Sequence, residues 1–329
     1  LLGLTLDRLT HPALGLEKKV VIIGAEKHRF LLRDCMLEQG FSGSLLLEPV
    51  GRNTAPAVAI AALYQSPDDL LLICPSDHYI EDSEYFANSV LDATKAAFGG
   101  AVVTFGVRPS RATSAYGYIK SIPNEGGDLG LLDVSRFVEK PSMEIAKTFL
   151  DDPSMLWNSG ILLVKAGRII SLMEKHAPEI VRACRTAMQT KKIEHQANIT
   201  FVRPNKESFF GCRSDSIDYS VLQKCESKNI KVMPFESSWR DLGGWEAVAE
   251  LITPDANGNR IIGNGLTEDS KNTYIRADDR FVAVVGAKDL YVIETSDAVL
   301  VVKKGNGEKV KKVVEYLSEK DESLVTTHR

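Results

Sequence analysis

The sequence predicts an α/β fold: a doubly wound, mostly parallel sheet followed by a small stacked β module. Two observations lead there. Short apolar, β-branched runs alternate with helix-like segments from the start of the chain to Val107, as βαβ units do. After Gly258 that texture gives way to short strands punctuated by Gly, Asn and Asp. Turn formers cluster between Thr253 and Asn259 and set a boundary there, so the expected domains are residues 1–255 and 256–329.

Leu1 to Leu9 reads as a helix with Leu2, Leu6 and Leu9 on one face. Val20 to Gly24 is a run expected of a strand buried on both faces, and helix-like sequence follows to about Gln39. Ser44 to Glu48 is the next strand. Ala55 to Tyr64 is Ala-rich and helical, with Pro56 in its first turn, where proline is tolerated. Leu70 to Cys74 is a strand that runs into Pro75, Ser76, Asp77 and His78. A helix starts near Ser83, taken as its N-cap, and Ala101 to Val107 is another strand. Beyond Pro109 the pattern loosens. Tyr116 to Ser121 and Val134 to Val138 are strands of a partly antiparallel insertion, Ile161 to Lys165 is a strand, and Ile169 to His176 a helix. In the last module, strands are expected at residues 261–262, 273–276, 281–285, 290–294 and 298–303. An amphipathic helix closes it, with Val310, Val313, Val314 and Leu317 on one face.

The chain has 329 residues, a formal charge of −4, 44% hydrophobic and 26% charged residues. This composition excludes a disordered or collagen-like chain. A mildly acidic balance argues against a nucleic-acid partner. No apolar run reaches the roughly 20 residues that span a bilayer, so no membrane partner is expected. The cysteines Cys35, Cys74, Cys184, Cys212 and Cys225 form no CxxC pair. That fits free thiols in a reducing cytoplasm and argues against zinc. A chain that opens without Met inside a helix is expected to have lost its true beginning.

Several residues carry candidate chemistry. Asp77 lies just past the carboxyl end of a buried strand, where ligands bind in open α/β sheets, and its carboxylate suits Mg²⁺; a turn former or helix cap is an equal alternative. Asp241 sits between Trp239 and Trp245 beside Gly243 and Gly244, and offers a second carboxylate; an aromatic-packed turn with Asp241 paired to Arg240 is the bland reading. The run Glu48 to Ala57 joins a strand end, a turn and a helix start. Free N–H groups there suit a nucleotide. Glu48 suits guanine, whose Watson–Crick edge presents N1–H and N2–H₂ donors to an acceptor-only carboxylate. Asn53 or Thr54 capping the helix is the structural alternative.

Glu139 and Lys140 follow a strand. Neighbours in a strand point to opposite faces, so the two are not expected to pair. Lys140 could meet a phosphate as a point charge and Glu139 a sugar hydroxyl, though a solvated strand end explains the segment equally. Asn158, read as lying ahead of a strand, both donates and accepts, as sugar hydroxyls do. Gly117 would let backbone approach a sugar. Asp218 begins a helix that Ser216 caps. The six histidines form no HxxxH or HxH cluster, and GxSxG, Walker A and GxGxxG are absent.

The order of these motifs is specific. GRNTAPA, PSDHYI, YGYI, FVEKP, WNSGI, SIDY and WRDLGGW together resemble the bacterial mannose-1-phosphate guanylyltransferases, the GDP-mannose pyrophosphorylases, along the whole chain. The resemblance implies a Rossmann-like nucleotide-diphospho-sugar transferase fold with a short left-handed β-helix at the C-terminus, in a monofunctional member without the isomerase domain. It implies transfer of GMP from GTP to α-D-mannose 1-phosphate with release of pyrophosphate. Asp77 and Asp241 would hold the Mg²⁺. Glu48, Arg52, Asn53 and Thr54 would lie at the nucleotide. Gly117, Glu139, Asn158 and Asp218 would face the mannose, with Lys140 on its phosphate as a catalytic cation. GTP and mannose 1-phosphate are then the expected partners, in the cytoplasm, with a homodimer through the C-terminal module as the expected assembly.

The family opens with a buried strand and a glycine-rich loop bearing Arg and a Pro-Lys pair, and Leu1 corresponds to the helix after that loop. The expectation is therefore a truncated chain with weakened leaving-group stabilisation. Two alternatives stay open: a non-catalytic sugar-nucleotide binder that has lost the loop, and a nucleotidyltransferase for another sugar 1-phosphate.

Overall fold

The computed structural model describes residues 1–123 and 130–320. The chain forms two compact units, Leu1–Trp239 and Arg240–Arg329.

The first unit contains β1 (Lys19–Ala25), β2 (Ser42–Glu48), β3 (Leu70–Ile73), β4 (His78–Ile80), β5 (Val102–Val107), β6 (Tyr118–Ile122), β7 (Leu132–Val138), β8 (Met155–Lys165), β9 (Lys192–Gln196), β10 (Ile199–Arg203) and β11 (Ile230–Phe235); β12 (Trp239–Asp241) starts at its last residue. Its helices are α1 (Leu2–Leu9), α2 (Arg29–Glu38), α3 (Thr54–Tyr64), α4 (Ser83–Phe98), α5 (Met143–Thr148), α6 (Ala166–His176), α7 (Pro178–Gln189), α8 (Lys206–Phe210) and α9 (Ile217–Ser220). The strands form a four-stranded sheet in the order β1-β2-β10-β9 and a six-stranded sheet in the order β3-β8-β5-β11-β7-β6.

The α/β architecture is the one expected, but the sheets are mixed. β1–β2, β2–β10 and β5–β11 are parallel, whereas β8 runs antiparallel to β3, β5 and β6, and β7 antiparallel to β6 and β11. The cause is the insertion after Pro109, which returns as adjacent antiparallel strands and a long β8. The parallel strands are apolar runs because both faces are covered: Leu45, Leu46 and Leu47 in β2 and all six residues of β5 are buried. α3 is apolar all round for the same reason, burying Ala55, Val58, Ala59, Ile60 and Ala62. One core cluster gathers α3, α6 and α7 with Leu156, Leu162 and Val164 of β8; a second gathers Phe86 and Val90 of α4 with Trp157, Ile161 and Leu163; a third joins Leu6 of α1 and Met36 of α2 to Leu45, Leu47 and Phe201.

That division of β8 between two faces survives an irregularity. Thr104 pairs with Leu162, but Gly106 pairs with Asn158. β8 thus carries two extra residues there, and a shift of two leaves the alternation of faces intact. Gly160, at φ +72°, sits in this bulge. Asn158 therefore lies inside a strand, not ahead of one. The expected cap of α4 is also corrected: Asp82, not Ser83, accepts from the Tyr85 N–H at 2.8 Å, because its carboxylate stands one residue before the first helical residue.

The second unit holds β13 (Arg260–Glu268), β14 (Tyr274–Val285), β15 (Leu290–Glu294) and β16 (Val299–Lys303), with α10 (Trp245–Glu250) and α11 (Val310–Lys320). β13, β14 and β15 are parallel neighbours, and β16 closes the sheet antiparallel. Two of the expected short strands fuse into the single β14. Tyr274, Tyr291 and Ile293 pack with Ala249, while Ile275, Ala277 and Val292 form a second small core. The buried Glu294 carboxylate accepts from the Asp279 and Arg280 backbone N–H groups and from the Arg280 guanidinium, which together hold its pKa below the ordinary range. Among the described residues no helix is long and apolar enough to cross a membrane.

Candidate functional site

Four of the expected residues, Gly117, Glu139, Lys140 and Asp218, gather around Asn158. Its backbone N–H donates to the Gly117 carbonyl at 2.8 Å. Its side-chain Oδ1 accepts from Thr104 Oγ1 at 2.8 Å and from the Gly160 N–H at 3.2 Å, and its Nδ2 donates to Asp218 Oδ1 at 2.7 Å. The bulge in β8 makes this possible, since it turns the Gly160 amide back onto the side chain two residues earlier.

Burial pushes the Asp218 carboxyl up, against the opposing pull of the Asn158 hydrogen bond and of Lys140. Burial likewise raises Glu139, with the Asp218 charge adding to the rise and Lys140 opposing it. Lys140 Nζ stands 3.5 Å from Glu139 Oε1 and keeps 62% of its side chain exposed. The two neighbours thus do pair, contrary to the strand-alternation argument. β7 ends at Val138, and Lys140 takes φ +44°, which turns its side chain back toward Glu139. Gly117 leaves room for the Glu139 carboxylate: a Cβ would lie 2.5 Å from Glu139 Oε2 and push it aside. The cluster offers two carboxylates, an amide and one exposed cation, a donor and acceptor set for a polyol phosphate.

Glu48, at the end of β2, is different. Burial raises its pKa to about 7, and its Oε1 is buried with no hydrogen-bond partner among the described residues. Four residues on, Arg52 donates to the Phe210 carbonyl and stacks on the Phe210 ring, 6.0 Å from its centroid. Asn53, at φ +68°, caps α3 by accepting from the Thr54 N–H at 2.8 Å. Thr54 Oγ1 accepts from the Ile217 N–H at 2.9 Å, and Ala55 N–H donates to the Asp215 carbonyl at 3.0 Å. Those bonds tie the start of α3 to the start of α9, the helix that carries Asp218 and that Ser216 caps. The Glu48 and Asn158 groups are thereby fixed within one scaffold.

Asp77 lies in the turn after β3 with 51% of its side chain exposed, and His78 Nε2 stands 3.8 Å from its Oδ1. A chain of aromatic rings leads from His78 to Trp239 (centroids 5.1 Å apart), on to Tyr116 (5.4 Å) and then to Trp157 (5.3 Å), the neighbour of Asn158. In the second unit, Asp241 Oδ1 accepts from the Gly243 N–H at 2.7 Å, and Arg240 faces Glu250 at 4.0 Å rather than Asp241. Sequence reasoning missed Thr104, His78 and the Tyr116–Trp157 contact. Only His78 left a signal, as the residue next to Asp77.

Residues 5–257 match the family described as Nucleotidyl transferase, and residues 263–317 match the MannoseP isomerase/GMP-like beta-helix domain. The chain belongs to the nucleotidyl transferase family. Among its relatives, a mannose-1-phosphate guanylyltransferase of Salmonella montevideo is 39% identical over 94% of this chain and 65% of its own length. Mannose-1-phosphate guanylyltransferase 2 of Escherichia coli O157:H7 is 36% identical over 100% of this chain and 69% of its own length. The chain thus spans about two thirds of the length of these curated relatives. A crystal structure described as a mannose-1-phosphate geranyltransferase from Thermus thermophilus superposes with a TM-score of 0.77 at 29% identity, covering 95% of this chain and 88% of that one. A structure described as mannose-6-phosphate isomerase from Helicobacter pylori gives 0.66 at 33% identity, covering 73% and 90%. The nucleotidyl transferase fold and the β-helix module inferred from sequence are both confirmed by these matches.

Proposed function

We propose that this nucleotidyl transferase moves GMP from GTP to α-D-mannose 1-phosphate, giving GDP-mannose and pyrophosphate. The observation that carries the reading is the Asn158-centred cluster: two carboxylates and an amide for sugar hydroxyls, with Lys140 as an exposed cation beside them. It supports a sugar phosphate as the acceptor substrate, and the relatives' names supply the sugar and the base.

An oxygen of the sugar phosphate attacks the α-phosphorus of GTP; the new P–O bond forms as the bond to the β-phosphate oxygen breaks, and pyrophosphate leaves with that electron pair. No protein nucleophile is needed, so the residues act by positioning and charge. Lys140 places positive charge on the acceptor phosphate. Asn158, Glu139 and Asp218 orient the ring, and Gly117 leaves room for it. Glu48 accepts from the guanine N1–H and N2–H₂, with Arg52, Asn53 and Thr54 shaping the turn around the nucleotide.

Nucleotidyltransferases use a divalent metal, and Asp77 fits one: an oxygen donor, half exposed, at the carboxyl end of a strand. Asp241 is the proposed second carboxylate. Mg²⁺ held there would neutralise charge on the phosphates.

The test is an assay of the full chain with GTP, mannose 1-phosphate and Mg²⁺, reading GDP-mannose and pyrophosphate, beside calorimetric binding of GDP-mannose. Equal amounts of both products are expected. Asp241→Asn should cut turnover far more than it weakens GTP binding, and unchanged turnover would exclude its role. The absence of both product formation and GDP-mannose binding would overturn the reading.

A further inference from the structure

His78 follows the proposed cation carboxylate Asp77, and its surroundings fix which ring nitrogen carries hydrogen. The Trp239 indole Nε1–H points at His78 Nδ1 at 3.4 Å in a buried contact. An indole N–H donates and never accepts. Nδ1 is therefore the acceptor, and a neutral imidazole then holds its hydrogen on Nε2. Nε2 is the nitrogen that faces Asp77 Oδ1, at 3.8 Å.

The ring has little freedom to do otherwise. Its side chain is 8% exposed. Trp239 stands edge-on to it with centroids 5.1 Å apart. On another side a Cβ at Gly160 would come within 3.8 Å of His78 Cε1 and 3.4 Å of the Pro75 ring. The backbone carbonyl of His78 accepts from the Arg8 guanidinium at 3.5 Å, which ties down the residue's main chain.

We infer that His78 is a positioning residue for Asp77, its Nε2–H directed at Oδ1 by the Trp239 indole, and that it is not itself a cation ligand. The inference rests on the reading of Asp77 as a cation carboxylate. To ligate a cation, Nε2 would need its lone pair. That requires moving the hydrogen to Nδ1 and leaving the buried indole N–H of Trp239 without its acceptor, which is costly. A donor on Oδ1 turns the carboxylate so that its other oxygen faces the ligand, the arrangement by which outer residues orient metal-binding groups. The gap of 3.8 Å is longer than a hydrogen bond and would shorten as a ligand draws the site together. The protein ligands are then oxygens alone, which suits Mg²⁺ or Mn²⁺ and disfavours Zn²⁺.

The experiment uses the full chain. Long-range ¹H–¹⁵N correlation of ¹⁵N-histidine protein, without metal, reads the tautomer of His78, assigned by the resonance that vanishes in His78→Gln. The Nε2–H form is expected in the wild type, and a mixture of forms in Trp239→Phe. Mn²⁺ affinity by electron paramagnetic resonance is the second readout. His78→Ala should weaken Mn²⁺ by about tenfold or more. His78→Gln, which returns an amide N–H near the Nε2 position, should recover most of that loss. An Nδ1–H tautomer in the wild type overturns the inference, as does His78→Gln binding no better than His78→Ala. If Asp77→Asn weakens Mn²⁺ while His78→Ala does not, the positioning role alone falls. If Asp77→Asn leaves Mn²⁺ binding unchanged, the reading of Asp77 falls and takes this inference with it.

Discussion

The Asn158 cluster and the Glu48 carboxylate are both polar and both withdrawn from water, yet they are held in opposite ways. Around Asn158 the protein supplies the partners itself: a hydroxyl, two backbone groups and a carboxylate, all within ordinary hydrogen-bond lengths. Glu48 Oε1 is buried without one among the described residues, and burial raises the carboxyl's pKa to about 7. A satisfied network is rigid before ligand arrives, so it can discriminate by shape. An unsatisfied carboxylate destabilises the empty protein and recovers that loss when a ligand brings donors, so it can discriminate by chemistry.

The comparison breaks most sharply at Asn158. Asn158→Leu strips Asp218 of the side-chain hydrogen bond from Asn158 and leaves a desolvated carboxyl behind; breaking such a contact costs about 3 kcal/mol. A fall of that size in unfolding free energy by urea titration is expected, and a loss below about 0.5 kcal/mol would mean the network is not structural.

Gly117→Ala is milder, because the clashing atom is the end of a flexible side chain, Glu139 Oε2. The carboxylate should swing away while the fold stands. The expected result is a KM for mannose 1-phosphate raised about tenfold, or 1.4 kcal/mol, with Tm almost unchanged. An unaltered KM would remove Glu139 from the sugar site.

The third effect is a pH dependence of stability. Glu48 titrates near 7 in the fold and near about 4.3 when unfolded. Below the unfolded value both states are protonated and Glu48 contributes no penalty. As pH rises from there to about 7 the unfolded state loses its proton first, so stability falls across that window and is then constant. Glu48→Gln removes this dependence. It should raise unfolding free energy by on the order of 2 kcal/mol at pH 8, discounted for residual solvent contact, and by far less at pH 5. Equal effects at both pH values would show that the carboxyl is not held out of water.

The sequence reveals these two regions unequally. Strand β2, helix α3 and Glu48 between them are legible because an apolar run ends in a charge and restarts after Pro56, all within a short stretch. β11 is not legible. Pro234 within Ile230–Phe235 reads as a strand breaker, and only tertiary pairing with Gly106 reveals a central strand. The Asn158 cluster is half legible: its members can be picked out as polar residues at turns, but their convergence depends on the bulge at Gly160 and on Thr104, fifty-four residues away from Asn158. The Lys140–Glu139 pair escapes the alternation rule because the backbone leaves the strand and takes a positive φ. The His78 tautomer depends on a tryptophan 161 residues distant, which no local pattern encodes.

The central claim is that these two regions read separate halves of one ligand, and paired calorimetry on two variants tests it directly. GDP, ADP and mannose 1-phosphate are titrated separately into the wild type, Gly117→Ala and Glu48→Gln at pH 8. The account predicts that Gly117→Ala weakens mannose 1-phosphate about tenfold and leaves GDP unchanged, while Glu48→Gln lowers the preference for GDP over ADP and leaves mannose 1-phosphate unchanged. Loss of both ligands in both variants, or a GDP/ADP preference that stays within about threefold of wild type in Glu48→Gln, would contradict it.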